Sequence, residues 1–168
     1  MNTGTPIAPG DVFLYENYQF LNGTTRDKLF IVLNDYVNDG SSTCLALITT
    51  SQKSYYRTVI AGCNRPETVY VVPKGWDTLL LDTFIPMRPI YLFSFGELIK
   101  LNMLNVVEKK THISDRQLGD LLTCLEQFAY YIPIKARKIL FPHLAPFTVP
   151  VVLPGPTGQA PTPPPAPS

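Results

Sequence analysis

Between Lys53 and Lys74 the chain sets four cations, Lys53, Arg57, Arg65 and Lys74, against one acid, Glu67, with Tyr55 and Tyr56 interleaved. Cations neutralise phosphates and tyrosine rings stack on bases, which is the combination that grips a single-stranded nucleic acid. Lys53, Tyr55, Tyr56, Arg57, Arg65 and Lys74 are therefore the nucleic-acid-binding candidates. The two histidines, His112 and His143, lie in separate regions without a serine or cysteine motif nearby, so no nucleophilic triad is expected. Gly62 and Gly96 are isolated and make no phosphate loop. Asp82-Thr83 reads as a turn or cap in preference to an acid–base pair. Trp76 is either a core residue at the rim, the favoured reading, or an exposed stacking platform. The three cysteines, Cys44, Cys63 and Cys124, are an odd number without close spacing. That pattern predicts neither a disulfide framework nor a zinc site, with Cys44 and Cys124 as small core residues. No metal or other cofactor is expected, and a reducing cytoplasm is the simplest location.

These residues need a scaffold, and composition bounds it. The chain has 168 residues with a net charge of +1, so one domain is the default and any grip on a polyanion must be local. All 14 basic and 13 acidic residues lie within Met1–Phe141, whereas residues 142–168 are uncharged and hold ten of the 17 prolines. No apolar run approaches the ~18–20 residues that span a bilayer, and Met1–Gly10 does not resemble a secretory signal.

The first two-thirds read as β. Pro9-Gly10 opens a strand over Asp11–Tyr15, continued by Tyr18–Leu21, and Asn22-Gly23 marks a hairpin turn because both tolerate positive φ. Leu29–Asn34 is apolar enough to be buried on both faces. Asn38-Asp39-Gly40 turns into Thr43–Thr50. Arg57–Ala61 and Thr68–Val72 follow, divided by a turn at Gly62–Pro66, and Leu79–Leu81 and Ile90–Phe93 complete the set. Ser94 and Ser114, each followed three residues later by Glu97 or Gln117, are capping boxes that open two helices. In the second helix Leu118, Leu121, Leu122, Leu125, Phe128 and Ala129 follow helical spacing. Val106-Val107 adds an edge strand. Pro133 interrupts, and Ile134–Leu140 is a final short helix. The predicted class is mainly β with C-terminal helices (α+β): a small barrel over residues 1–141, then a Pro-rich extension, extended or disordered, over residues 142–168.

Three segments occur in a recognisable order: Pro9-Gly10-Asp11-Val12, Leu29-Phe30-Ile31-Val32-Leu33-Asn34-Asp35, and Leu47-Ile48-Thr49-Thr50-Ser51. Over Pro9–Leu140 the chain resembles the MazF/PemK (Kid-like) toxins of bacterial toxin–antitoxin pairs, SH3-like barrels of the MazF/PemK/CcdB type. The resemblance implies metal-independent cleavage of single-stranded RNA by a homodimer whose groove is covered by a cognate antitoxin. It also implies a site: a cation at the start of the buried strand and a Thr or Ser at the end of the next. Thr49, Thr50 and Ser51 match the second element. The family's Arg-Pro pair is replaced by Asp27-Lys28, so Arg26 or Lys28 must supply the cation, and Asp27 is a carboxylate where a phosphate would sit. The alternative is a catalytically inactive SH3-like barrel that serves as a protein-interaction module. It would use the groove or the apolar, Pro-interrupted segment Phe141–Leu153.

Overall fold

The computed structural model describes residues 7–36, 40–52, 56, 60–76 and 78–144. Its strands, in chain order, are β1 (Asp11–Gln19), β2 (Thr25–Val32), β3 (Thr43–Ile48), β4 (Gly62–Asn64), β5 (Val69–Val72), β6 (Thr83–Pro86), β7 (Ile90–Ser94) and β8 (Val107–His112). Three helices, α1 (Phe95–Met103), α2 (Asp115–Glu126) and α3 (Ile134–Leu140), lie in the second half. The chain is thus mainly β with helices, an α+β protein. Its strands form a five-stranded antiparallel sheet ordered β7-β3-β2-β1-β8 and a three-stranded sheet ordered β4-β5-β6. The small barrel of the sequence reading is, among the described residues, two sheets and not one closed cylinder. They are joined where Thr50 and Phe84 exchange backbone hydrogen bonds of 2.9 and 2.8 Å.

The hairpin β1–β2 forms at the predicted turn. Gly23 adopts φ +80°, open to glycine without strain, and Asn22 Oδ1 accepts from the amide and hydroxyl of Thr24. Strand β2 is central, and Phe30, Ile31 and Val32 are all fully buried because alternate residues serve different cores. Val12, Ile31, Leu45 and Leu47 pack on one face with Tyr70, Val72 and Ile85 of the second sheet and Leu121, Leu125 and Ala136 of the helices. Phe13, Phe30, Val32, Cys44, Ala46 and Phe93 pack on the other, with Leu98 of α1. Both helix starts form as read: Ser94 Oγ accepts the Glu97 amide at 3.1 Å and Ser114 Oγ the Gln117 amide at 3.3 Å. Strand β8 is longer than the predicted edge, and its exposed Glu108 and Lys110 suit a strand with one open side.

Five readings need correction. Gly62–Asn64 is strand β4, and the turn begins only at Arg65. Of the strand predicted over Arg57–Ala61, residues 57–59 lie outside the described residues, and Ile60 and Ala61 are not in a strand. Leu79–Leu81 is a loop, because pairing with β5 starts at Thr83, opposite Val72. Asp82 does act as a cap there, accepting the Lys74 amide at 2.8 Å, while Trp76 is 53% exposed and not in the core. Finally, Cys63 and Cys124 form a disulfide, their Cα atoms 5.5 Å apart. Sequence spacing could not show this, since 61 residues separate them and only the packing of β4 against α2 brings them together. Cys44 remains a buried thiol. Disulfides persist in oxidising surroundings, so the cytoplasmic expectation loses the cysteine argument on which it stood.

Candidate nucleic-acid interface

Arg26 and Lys28 are two residues apart on β2, so both project from the face that Phe30 occupies. Their cross-strand neighbours on β1 are Tyr18, opposite Arg26, and Tyr15, opposite Lys28. In an uninterrupted strand Tyr15 and Tyr18 would point to opposite faces, because three residues separate them. An irregularity between them restores the match: the register shifts, and Asn17 takes φ 52°, a conformation Asn tolerates better than most residues. The carboxylate that holds this bulge is Asp27, whose Oδ1 accepts the Asn17 amide at 2.9 Å. The acid standing in the place of the Arg-Pro pair is therefore tied to backbone, and strand alternation turns it away from Arg26 and Lys28.

The bulge assembles a half-buried aromatic surface beside the two cations. Ring centroids lie 5.2 Å apart for Tyr15–Tyr18 and for Tyr18–Phe20, 5.8 Å for Tyr18–Tyr91 and 5.1 Å for Phe30–Tyr91. Lys28 Nζ sits 5.8 Å from the Phe20 centroid, within cation–π range. Burial, then the neighbouring Arg26 charge, lowers the Lys28 ammonium below its ordinary pKa. Burial raises the phenols of Tyr15, Tyr18 and Tyr91 above their ordinary value.

Strand β3 brings the hydroxyl residues alongside. Phe30 pairs with Ile48, and the Thr49 amide donates to Leu29 O at 2.8 Å, after which Thr50 pairs with Phe84 of the second sheet. Thr50 Oγ1 accepts the Gln52 amide at 3.2 Å, and Ser51 is exposed one residue on. Thr49 is buried, 5% exposed. The structure thus puts Arg26 and Lys28 on one face, places Thr50 at the junction of the two sheets with Ser51 exposed beside it, and buries Thr49.

The candidates between Lys53 and Lys74 do not gather in the same way. Lys53, Tyr55 and Arg57 lie outside the described residues. Tyr56 stacks nearly flat on Phe84, 5.0 Å between centroids, and covers Val69 and Val71 on the outer face of the second sheet. It is a packing residue, not an open platform. Arg65 Nε donates to Gln127 Oε1, and Lys74 is exposed at the opposite end of β5. Tyr15, Tyr18, Phe20 and Tyr91, by contrast, were not singled out from sequence. The available signal was Tyr15-Glu16-Asn17-Tyr18-Gln19-Phe20, in which Asn offers a left-handed residue where the alternation of aromatics breaks.

A second polar cluster lies at the other end of β1. Asp11 is fully buried; its Oδ2 accepts the Ala8 amide at 2.8 Å, and its Oδ1 meets Lys109 Nζ at 2.7 Å and His112 Nδ1 at 2.8 Å. Every donor there comes from a segment that the carboxylate fastens to β1, so the cluster is structural. Gly10 makes room for it: at φ +85°, an added Cβ would come 2.8 Å from His112 Cε1. His143 pairs instead with Glu126 at 2.6 Å. Among the described residues no group of three or more His, Cys, Asp or Glu is placed to hold a metal, and no helix is long and apolar enough to cross a membrane. No protein-family model matches the chain, and no curated protein matches it.

Proposed function

We propose that this protein binds single-stranded RNA across the tyrosine face of its five-stranded sheet, as an SH3-like protein of the MazF/PemK toxin type. The observation that carries the reading is that Arg26 and Lys28 share a face with Tyr15, Tyr18 and Tyr91, while Asp27 is turned away and occupied. Arg26 and Lys28 neutralise phosphates, the rings stack on bases, and Thr50 and Ser51 hydrogen-bond the backbone at the sheet edge. Strand cleavage additionally needs a group that takes the 2′-OH proton. An antitoxin, in this reading, is a protein that covers the same surface, and a homodimer would place two such faces on one particle. The test is fluorescence anisotropy with a labelled single-stranded RNA, followed by electrophoresis of the RNA. Wild type binds and the Arg26→Ala, Lys28→Ala double variant binds at least several-fold more weakly. Equal affinity of the two proteins refutes the site.

One observation favours the alternative of a protein-interaction module. Trp76, Leu80 and Leu81 are 53%, 83% and 58% exposed on a loop held by the Lys74–Asp82 and Thr78–His112 hydrogen bonds. This loop lies at the Asp11 end of β1, about 23 Å of strand from Tyr18 at ~3.3 Å per residue. Replacing Leu80 and Leu81 by serine should leave RNA affinity unchanged. If it instead abolishes capture of a protein partner, the module reading gains.

A further inference from the structure

The second sheet and helix α2 are tied together at three points. Cys63, in the middle of β4, pairs with Tyr70 of β5, and the Tyr70 hydroxyl accepts from Gln117 Nε2 in the first turn of α2. Two turns on, Cys124 carries the other half of the disulfide, and at the helix end Gln127 Oε1 accepts from Arg65 Nε. Residues 117 and 124 are seven apart, so they share a face of α2. The Tyr70–Gln117 and Arg65–Gln127 bonds therefore bracket the two sulfurs, and neither depends on the S–S bond. The sulfurs differ in access: Cys63 is exposed, whereas Cys124 is 1% exposed in the core that holds Leu121 and Leu125. Gln127 Oε1 also lies 3.9 Å from Cys63 Sγ, so the Arg65 guanidinium that it binds stands near that sulfur. A nearby cation favours a thiolate, and apolar burial disfavours one.

We propose that Cys63 and Cys124 form a reversible thiol–disulfide switch, in which Cys63 exchanges with small acidic disulfides and Cys124 resolves the product. In the closing direction the Cys63 thiol gives its proton to water, and its thiolate attacks one sulfur of the small disulfide. A Cys63 mixed disulfide forms, and the first small thiolate leaves with the electron pair and takes up a proton. Cys124, giving up its own proton, then attacks Cys63 Sγ, so the Cys63–Cys124 bond forms and the second small thiolate leaves and is protonated. The protein dithiol is oxidised by two electrons, and the small disulfide is reduced to two thiols. The bracketing hydrogen bonds make the second step fast, because they hold Cys124 against Cys63 whether or not the sulfurs are joined. In the opening direction a small thiolate reaches only the exposed Cys63 sulfur, and Cys124 is the leaving group. Its thiolate departs into an apolar core, which slows opening relative to closing. The Arg65 guanidinium selects an anionic partner, such as oxidised glutathione, over a neutral one. The switch sets how firmly β4, an outer strand of its sheet, is fastened to α2. It concerns a different part of the molecule from the RNA-binding reading and stands whether or not that reading does.

The test mixes the reduced full chain, freed of reductant, with oxidised glutathione, and maps acid-quenched aliquots by peptide mass spectrometry. Wild type should pass through a glutathione adduct on Cys63 and end with the Cys63–Cys124 bond and no adduct. Cys124→Ala should hold the Cys63 adduct, and Cys63→Ser should lose glutathione uptake. If Cys124→Ala does not fold, early wild-type aliquots and Cys63→Ser still decide which sulfur reacts. Cys44, fully buried in the other core, stays unmodified while the protein is folded and so reports unfolding. Reduced and oxidised wild type, each equilibrated in the same mixtures of reduced and oxidised glutathione, should reach one closed fraction that falls as reduced glutathione is raised. An adduct that forms first on Cys124, a Cys63 adduct that persists in the wild type, or equal uptake by Cys63→Ser overturns the proposal. So does a folded protein that does not react, or a bond that stays closed in excess reduced glutathione.

Discussion

Reducing the Cys63–Cys124 disulfide should cost this protein a large share of its stability, and the size follows from chain length. The cross-link closes a loop with a sequence separation of 61. Chain-entropy scaling for such a loop gives about 14 cal/mol/K, or ~4 kcal/mol at 25 °C, removed from the unfolded ensemble. The folded state keeps other ties between the same elements, including the Arg65–Gln127 hydrogen bond, so the native structure should survive reduction. Urea unfolding with and without a dithiol reductant measures the difference; with a slope of ~2 kcal/mol/M the midpoint should fall by about 2 M. Cys63→Ala should reproduce the shift without reductant, since Cys63 is exposed while Cys124 is 1% exposed and better left in place. Thiol titration in denaturant supplies the check on the cross-link itself. One thiol, Cys44, should react before reduction and all three afterwards. Three reactive thiols in the unreduced, denatured protein, or a midpoint that does not move on reduction, refute the reasoning.

Asp27→Ala discriminates a structural carboxylate from a repulsive one. Losing its exposed bond to the Asn17 amide should lower stability by about 1 kcal/mol, or a few degrees in Tm, and weaken RNA binding by disordering the bulge. Tighter binding with unchanged Tm would show that Asp27 acts by repulsion. Tyr36 predicts an alkaline loss of stability. It is 3% exposed, and burial, then Cys44, Asp11 and Asp35, push its phenol up to about 12. The folded protein keeps the proton above pH 10 while the unfolded chain releases it, so stability is full below pH 10 and falls as pH rises towards 12. Relative to Tyr36→Phe, unfolding free energy should drop by on the order of 2–3 kcal/mol across that window. Parallel pH profiles for the two proteins would contradict the assignment.

The parts of this structure that were legible in sequence are those governed by local chemistry. Asn22-Gly23, the caps at Ser94 and Ser114, the apolar run through Phe30–Val32 and the restart at Pro133 each depend on near neighbours in the chain. What was not legible depends on tertiary partners. Strand β6 forms at Thr83 because β5 offers a register there, although Leu79–Leu81 is the more apolar run. The Cys63–Cys124 bond needs β4 to meet α2. In the candidate site, Arg26, Lys28 and Thr50 could be named, because the resemblance pointed to them. Thr49 could not be separated from Thr50, since which of two adjacent residues faces the core depends on register. The tyrosine face was hidden by a single extra residue at Asn17, which inverts the alternation from which a face is read.

The salt dependence of RNA affinity tests the central claim most directly. Each cation that neutralises a phosphate of a single strand contributes about 0.7 to the slope of log affinity against log salt. If Arg26 and Lys28 both contact phosphates, the double alanine variant should show a slope shallower by about 1.4 and an affinity roughly 15-fold weaker at 0.15 M salt. Identical slopes for wild type and variant would contradict the account, because the RNA would then be held by other cations.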